Sequence, residues 1–178
     1  MKKHTYEEIT QESSYLKRLI DDRLKDVDHS IGYEYVDWLC RQTKYFYEGY
    51  KKTSYSTQPD DLQRGDVIWA VFGINIGSEL SDYRTKGHYC VCWAIDLANV
   101  VVIPLSSSDS PGSVLTHDIG EIEGLGYPGS HSYIKLDAIR SISKRRISRI
   151  PNTPSGKIVL SDEQIQLINE AVKKAFTI

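Results

Sequence analysis

The sequence predicts an α+β protein: a helical hairpin, then a small, strongly bent β-barrel closed by a C-terminal helix. Two changes of pattern carry that expectation. Residues 1–58 place apolar side chains at helical spacing and hold eight of the twelve tyrosines and no proline. From Arg64 the pattern shifts to short runs rich in β-branched and aromatic residues, separated by glycine, serine and aspartate. A helical period returns after Ser161. Several short strands with one closing helix bury a common core best when the sheet curls on itself.

Each element follows in order. Tyr6, Ile9, Leu16, Leu19, Ile20, Leu24 and Val27 recur at helical spacing, with Thr5 and Glu8 forming a candidate capping box. A break is expected at His29-Ser30-Ile31-Gly32. A second helical pattern runs through Val36, Leu39, Cys40, Thr43, Phe46, Tyr47 and Tyr50. The polar stretch KKTSYSTQPDDLQ, Lys51 to Gln63, reads as a linker. This divides the chain into an N-terminal helical extension, 1–58, a linker to about 63, and a barrel domain, 64–178. Within the barrel, Asp66 to Phe72, Tyr89 to Ile95 and Val100 to Leu105 are expected strands. The loop Gly73 to Lys86 joins the first two and Asp96 to Asn99 turns between the next two. Ser106 to Ser130 contains six serines, five glycines and two prolines, and is expected to be loop with some irregular strand. Tyr133 to Leu136 is a short strand. Ser161 caps the closing helix, with Gln164 in the capping-box position and Ile165, Ile168, Val172, Ala175 and Phe176 along one face.

Composition bounds the function. The chain has 178 residues, 40% hydrophobic and 26% charged, which argues against wholesale disorder, collagen-like repeats and coiled-coil rods. Its longest apolar run, Val67 to Ile74, is strand-sized and well short of the roughly 20 residues that span a bilayer. The opening MKKHTYEEIT has no apolar core of a signal peptide, so the cytoplasm is the expected compartment. Twenty-two basic residues against 24 acidic ones give a net charge of −2, so any contact with nucleic acid must come from a local patch. Three cysteines make no disulfide framework, and all three are expected to be reduced and packed. Cys90 and Cys92 would share one face of a strand. C-x-C without a second Cys/His pair does not build a closed zinc site, and neither a metal nor another cofactor is expected.

Several places could carry chemistry. The loop Gly77-Ser78-Glu79-Leu80-Ser81-Asp82-Tyr83-Arg84 puts a carboxylate and a guanidinium on a long connection between strands, where function often sits. Ser106-Ser107-Ser108 ends the third strand with hydroxyls able to meet a phosphate. In Lys135-Leu136-Asp137 an i, i+2 relation along a strand would set an amine beside a carboxylate. The basic run Lys144 to Arg149, with Arg140 before it, is either a solvated edge or a phosphate-reading patch. Among His4, His29, His88, His117 and His131, His88 and His131 lie next to these segments and could titrate near neutral pH.

Taken together, these pieces resemble the MazF/PemK/Kid toxins. Arg64-Gly65-Asp66-Val67-Ile68-Trp69-Ala70 is similar to their R-G-D/E-V/I-x-W/F-A opening. Gly77-Ser78-Glu79 followed by Arg84 resembles their G-S/H-E-x-x-x-x-R loop. VVVIPLSS, Val100 to Ser107, is similar to their apolar strand ending in Thr/Ser, and Ser132 to Ile147 resembles S-V-x-x-x-x-Q-I-R-T-I-D-K-x-R-L. The resemblance covers about 64–178, and residues 1–58 lie outside the usual family length. It implies an SH3-like barrel of the MazF/PemK/CcdB type and a homodimer. It also implies a toxin with a cognate antitoxin protein, cleaving single-stranded RNA sequence-specifically and without metal to 2′,3′-cyclic phosphate and 5′-hydroxyl ends. Carried over by position, Arg84 falls on the catalytic loop arginine, Ser106 on the strand-end Thr/Ser, Lys135 and Asp137 on an Arg-x-Asp pair, and Glu79 on the loop carboxylate. Ser78, Tyr83, His88, Ser107, Arg140, Lys144 and Arg145 would contact RNA. Asp137, Glu79 or neutral His88 would serve as base. Two departures bear on loop shape: Leu80-Ser81-Asp82 stand where the family commonly has two glycines after the loop Glu/Gln, and Gly87-His88 where it has Arg-Pro. Related gyrase-poisoning toxins share the fold without RNase activity, so the alternative is a non-catalytic, protein-binding barrel.

Overall fold

Thr5 starts the first helix. Its hydroxyl accepts the Glu8 amide at 3.2 Å while the Glu8 carboxylate accepts the Thr5 amide at 2.7 Å, the capping box expected from the sequence. The computed structural model describes residues 3–53 and 58–177. Helix α1 spans Tyr6–Leu24 and buries none of its residues. Helix α2 spans His29–Lys51, so the break expected at His29 to Gly32 falls inside its first turn. The reason is Asp28, whose carboxylate accepts the Ser30 and Ile31 amides at 2.9 and 3.2 Å and caps α2 at once. Gly32 is buried beside the end of α1, where a Cβ would lie 3.8 Å from Leu24.

The strands are β1 Asp66–Val71, β2 Gly87–Asp96, β3 Asn99–Ser106, β4 Thr116–Glu121, β5 His131–Lys135, β6 Arg140–Ser143, β7 Ile147–Ser148 and β8 Ile158–Val159, followed by α3, Asp162–Phe176. Antiparallel pairing runs from β1 to β2 and from β2 to β3. β6 pairs β3 and β7 pairs β1, and only the 3₁₀ turn Lys144–Arg146 separates β6 from β7. The path β3-β2-β1-β7-β6 thus returns to β3 and closes a small barrel. Its interior is filled by Ile68, Ala70, Phe72, Cys90, Cys92, Val100, Val102, Ile142 and Ile147. These are alternate positions on each long strand, as a period of two requires.

The other faces of the same strands make a second core. Val67, Val91, Ile103 and Leu105 pack with Ile119 and Ile134 beneath Ile168 and Ala171 of α3. β3 belongs to both cores because it pairs β2 up to Pro104 and then β5 from Leu105. Ser161 and Gln164 form the second capping box, and Gln164 also donates to the Ile119 and Glu121 carbonyls, which seats α3 on β4.

Cys90 and Cys92 are fully buried free thiols on one face, and burial pushes the Cys92 thiol up to about 12. Cys40 is exposed, contrary to the expectation of three packed cysteines. It lies two residues, about 200°, around α2 from the buried Trp38 and so faces solvent.

The expected linker is loose in no described part. Lys51 ends α2, and 54–57 lie outside the described residues. Beyond them Pro59 is buried, the Asp60 amide donates to the Ser155 carbonyl at 2.8 Å, and Arg149 holds the Asp60 carboxylate at 2.7 Å. Leu62 packs against the barrel interior.

Helix α2 docks on the barrel through Trp38, which joins Val71 and Ile74 with Tyr35 and Tyr45 around it. The indole rests on Gly73, a residue with φ +79 at which a Cβ would come within 2.0 Å of the ring. Gly73→Ala should therefore combine left-handed backbone strain with overpacking and destabilise the fold by about 3 kcal/mol. Urea unfolding followed by circular dichroism measures this directly.

Candidate functional site

The loop between β1 and β2 is braced from inside. At its base the Phe72 and Gly73 amides both donate to the Lys86 carbonyl, at 2.7 and 2.8 Å. Across it, the Asn75 amide donates to the Ser81 hydroxyl at 2.8 Å and the Asn75 side chain to the Leu80 carbonyl at 2.6 Å. Leu80 packs against the barrel interior. Asp82 accepts the Thr85 and Lys86 amides at 2.5 and 3.2 Å and so caps the turn that carries Arg84. Burial works to raise the Asp82 pKa, but hydrogen bonds from Thr85, Lys86 and Arg84 outweigh it and hold the carboxyl below its ordinary value. Leu80, Ser81 and Asp82 are thus among the residues that fix the loop.

This brace presents Ser78, Glu79, Tyr83 and Arg84 to solvent. The Arg84 guanidinium has no hydrogen bond and no ion pair among the described residues, and Glu79 does not reach it. It is a cation whose donors are all available to a ligand.

His88 lies two residues before Cys90 and faces the mouth of the barrel. Its ring stacks on Phe72, centroids 5.9 Å apart, and the Arg140 guanidinium lies 5.0 Å from the Phe72 ring. Burial, aided by Arg140 and opposed by Asp82, holds its pKa below the ordinary histidine value, so it is neutral at neutral pH. His88 is half-buried, and its Nε2 is buried with no hydrogen-bond partner among the described residues.

A second polar patch lies where β3 crosses to β5. Ser106, at the end of β3, pairs Tyr133. Its hydroxyl donates to the Ser108 carbonyl at 2.9 Å and accepts the Ser108 amide at 3.0 Å, while Ser107 is exposed. The Lys135 ammonium donates to Ser110 and Thr116, each at 3.0 Å. The expected pairing of Lys135 with Asp137 does not occur. β5 ends at Lys135 and the chain turns into the 3₁₀ segment Leu136–Ala138, so the i, i+2 relation of a strand is lost and Asp137 points to solvent. His131 instead meets Asp118 at 2.7 Å, across the irregular β4–β5 register.

The basic run serves the extension. Arg145 donates to the Thr53 carbonyl at 2.5 Å and lies 4.0 Å from Glu48. Arg146 donates to the Phe72 carbonyl at 2.7 Å and sits 5.3 Å from the Trp38 ring. Arg149 holds Asp60. Lys144 and Arg140, half-buried at the same edge, have no carboxylate partner among the described residues. No cluster of three or more His, Cys, Asp or Glu suited to a metal occurs among the described residues, and none of their helices is long and apolar enough to cross a membrane.

The sequence reading missed the most heavily built feature of the region. Lys86 is 1% exposed and its ammonium is paired with Glu34 and, at 3.1 Å, with Asp37, both on α2. Neither partner lies within 45 residues in sequence, so no local pattern announces the contact. Asp82 had a local signal, an aspartate three residues before Thr85 at a turn.

A family model described as PemK-like, MazF-like toxin of type II toxin-antitoxin system matches residues 63–176. No curated protein matches the chain.

Loss of the Asp82 cap is testable apart from any activity. Asp82→Ala should lower stability by about 1 kcal/mol at pH 7, the usual cost of losing such a cap. Because the folded carboxyl ionises below its unfolded value, its contribution is complete above the unfolded value and fades as pH falls through the folded one. The gap between wild type and variant, read from urea unfolding at a series of pH values, should shrink on that acid limb only.

Proposed function

The chain belongs to the PemK-like, MazF-like toxins of type II toxin-antitoxin systems, and on that premise we propose that it is a metal-independent, sequence-specific endoribonuclease acting on single-stranded RNA in the cytoplasm. A type II toxin has an antitoxin protein as its partner. A homodimer is part of the same proposal.

The observation that carries the reading is Arg84: a guanidinium unpaired among the described residues, on a turn of a loop that is itself internally fixed. RNA brings its own nucleophile. The 2′-hydroxyl oxygen bonds to phosphorus, the bond from phosphorus to the 5′-oxygen breaks, a base takes the 2′ proton and an acid supplies one to the departing 5′-oxygen. The products are a 2′,3′-cyclic phosphate and a 5′-hydroxyl. No metal is needed to make the nucleophile, so the protein's task is charge stabilisation and proton transfer. Arg84 suits the first, since its planar fork can hold two phosphate oxygens. Lys135, held by Ser110 and Thr116 and free of a carboxylate, supplies a second cation. Glu79 and Asp137 are exposed carboxylates able to accept the proton, and are favoured over His88, whose Nε2 is buried. Ser106 and Ser107 would bind phosphate. Ser78, Tyr83, Arg140 and Lys144 would line the RNA path, with Tyr83 stacking on a splayed base. Arg145 is held by Thr53 and Glu48 and would act only at the margin of that path.

A second reading is a protein-binding barrel without catalysis. It is favoured by Ser106, whose hydroxyl is already engaged by Ser108, and by the buried Nε2 of His88.

The test is incubation of the purified protein with a long single-stranded RNA, with and without EDTA, followed by mapping of the cut ends. Cleavage should survive chelation and leave cyclic phosphate and 5′-hydroxyl ends. Arg84→Ala should slow it by about 10²–10³-fold, as for removal of one preorganised oxyanion donor. Arg84→Lys should recover only part of the loss. Cleavage that disappears on chelation and returns with a divalent ion contradicts the mechanism. An Arg84→Ala variant that cuts at the wild-type rate removes Arg84 from it. Absence of any cleavage favours the binding module.

A further inference from the structure

Lys86 follows Arg84 by two residues and has a left-handed backbone, φ 60. A lysine ammonium this deeply buried is costly unless it is paired. Both of its carboxylate partners, Glu34 and Asp37, come from one face of α2, three residues apart. Asp37 is steadied in turn by Arg41 at 3.0 Å. Burial opposes the charge on Lys86, but the hydrogen bonds and charges of Glu34 and Asp37 outweigh it, so the amine stays protonated.

The other end of the loop meets the same helix. Trp38, one residue on from Asp37, covers Gly73 so closely that no side chain fits there. Arg146 lies against the Trp38 ring and donates to the Phe72 carbonyl. The two ends are also joined to each other, since Phe72 and Gly73 donate to the Lys86 carbonyl. One helical turn of α2 therefore grips the entry and the exit of the loop that carries Arg84.

We propose that Glu34, Asp37 and Trp38 of the N-terminal extension are positioning residues for Arg84: through Lys86 and Gly73 they hold the loop in its working geometry and so set the rate of RNA cleavage. The proposal rests on the RNA-cleavage reading above. Its physical basis is that a bidentate guanidinium acts only when placed to within about 0.5 Å. A misplacement of about 1 Å costs on the order of 10²-fold in rate. The extension in this view promotes cleavage, whereas a masking hairpin would suppress it.

The test uses the full chain. The double variant Glu34→Gln/Asp37→Asn keeps the shape of both side chains and removes the anchoring charges. Lys86→Met removes the buried charge and keeps an unbranched apolar chain in its place, so a fold defect in one variant does not stop the experiment. Two quantities are read: kcat and KM on a long single-stranded RNA, and amide hydrogen exchange by mass spectrometry. Both variants should lose on the order of 10-fold in kcat with KM little changed. Exchange should rise at 73–87 and stay unchanged in β4 and α3, and Glu34→Gln alone should be intermediate. Wild-type kcat in the two folded variants overturns the proposal, whether or not exchange rises. So does a fall in kcat accompanied by faster exchange across the whole barrel, which would mark a merely structural contact. If the wild-type chain itself cuts no RNA, the cleavage reading fails and the rate-setting role fails with it. The clamp alone then stands if exchange rises at 73–87 and falls if it does not.

Discussion

One buried charge organises the relation between the two parts of this chain. The Lys86 ammonium is almost wholly removed from water, and its two carboxylate partners both lie on α2. A charge removed from water in this way is tolerated only while partners of opposite charge hold it. The barrel's β1–β2 loop and the N-terminal helix therefore depend on one another. Trp38 on Gly73 adds a steric lock to the electrostatic one, and Arg146 joins the two by lying against Trp38 while bonding the Phe72 carbonyl. Helix α1 has no such tie to the barrel interior: Ile9, Leu16 and Leu19 remain exposed along it.

The loop is ordered by its own residues. Leu80 is an apolar anchor against the barrel interior, Ser81 accepts a hydrogen bond from Asn75, and Asp82 caps the turn bearing Arg84. Internal bracing and the external grip of α2 act on the same short segment. What is left outside the brace is a row of exposed polar side chains, with Arg84 among them as a cation unpaired among the described residues. Below it, half-buried His88 keeps its Nε2 out of solvent.

Much of the fold was legible because its signals are local. Both capping boxes, Thr5 with Glu8 and Ser161 with Gln164, are three-residue patterns and form as expected. The long strands β1 to β3 announce themselves because alternate residues line the barrel interior, and Cys90 and Cys92 fall on one face for the same reason. Short strands set by partners were not legible: β7 lies inside what reads as a basic run and β6 just before it, and only closure of the barrel makes them strands. The start of α2 was misplaced because Gly32 reads as a breaker, whereas Asp28 caps and Leu24 packs over the glycine. In the candidate site, the motif around Arg84 stands out in sequence and the loop is where it was expected. The Lys135–Asp137 pair was not realised because the strand stops between them. The contacts of Lys86 with α2, and of Arg145 and Arg146 with the extension, join distant parts of the chain and leave no trace in spacing.

If α2 and the base of the Arg84 loop are one cooperative unit, they must open together. Native-state hydrogen exchange of the wild-type chain, followed across low urea concentrations, tests this most directly. The amides to compare are those of Phe72 and Gly73, which bond the Lys86 carbonyl, and those of α2 around Trp38. The expected result is a shared opening free energy and a shared urea dependence for the two sets. The contradicting result is an α2 that opens far more easily while Phe72 and Gly73 stay protected, which would make the extension an appendage and not a part of the site.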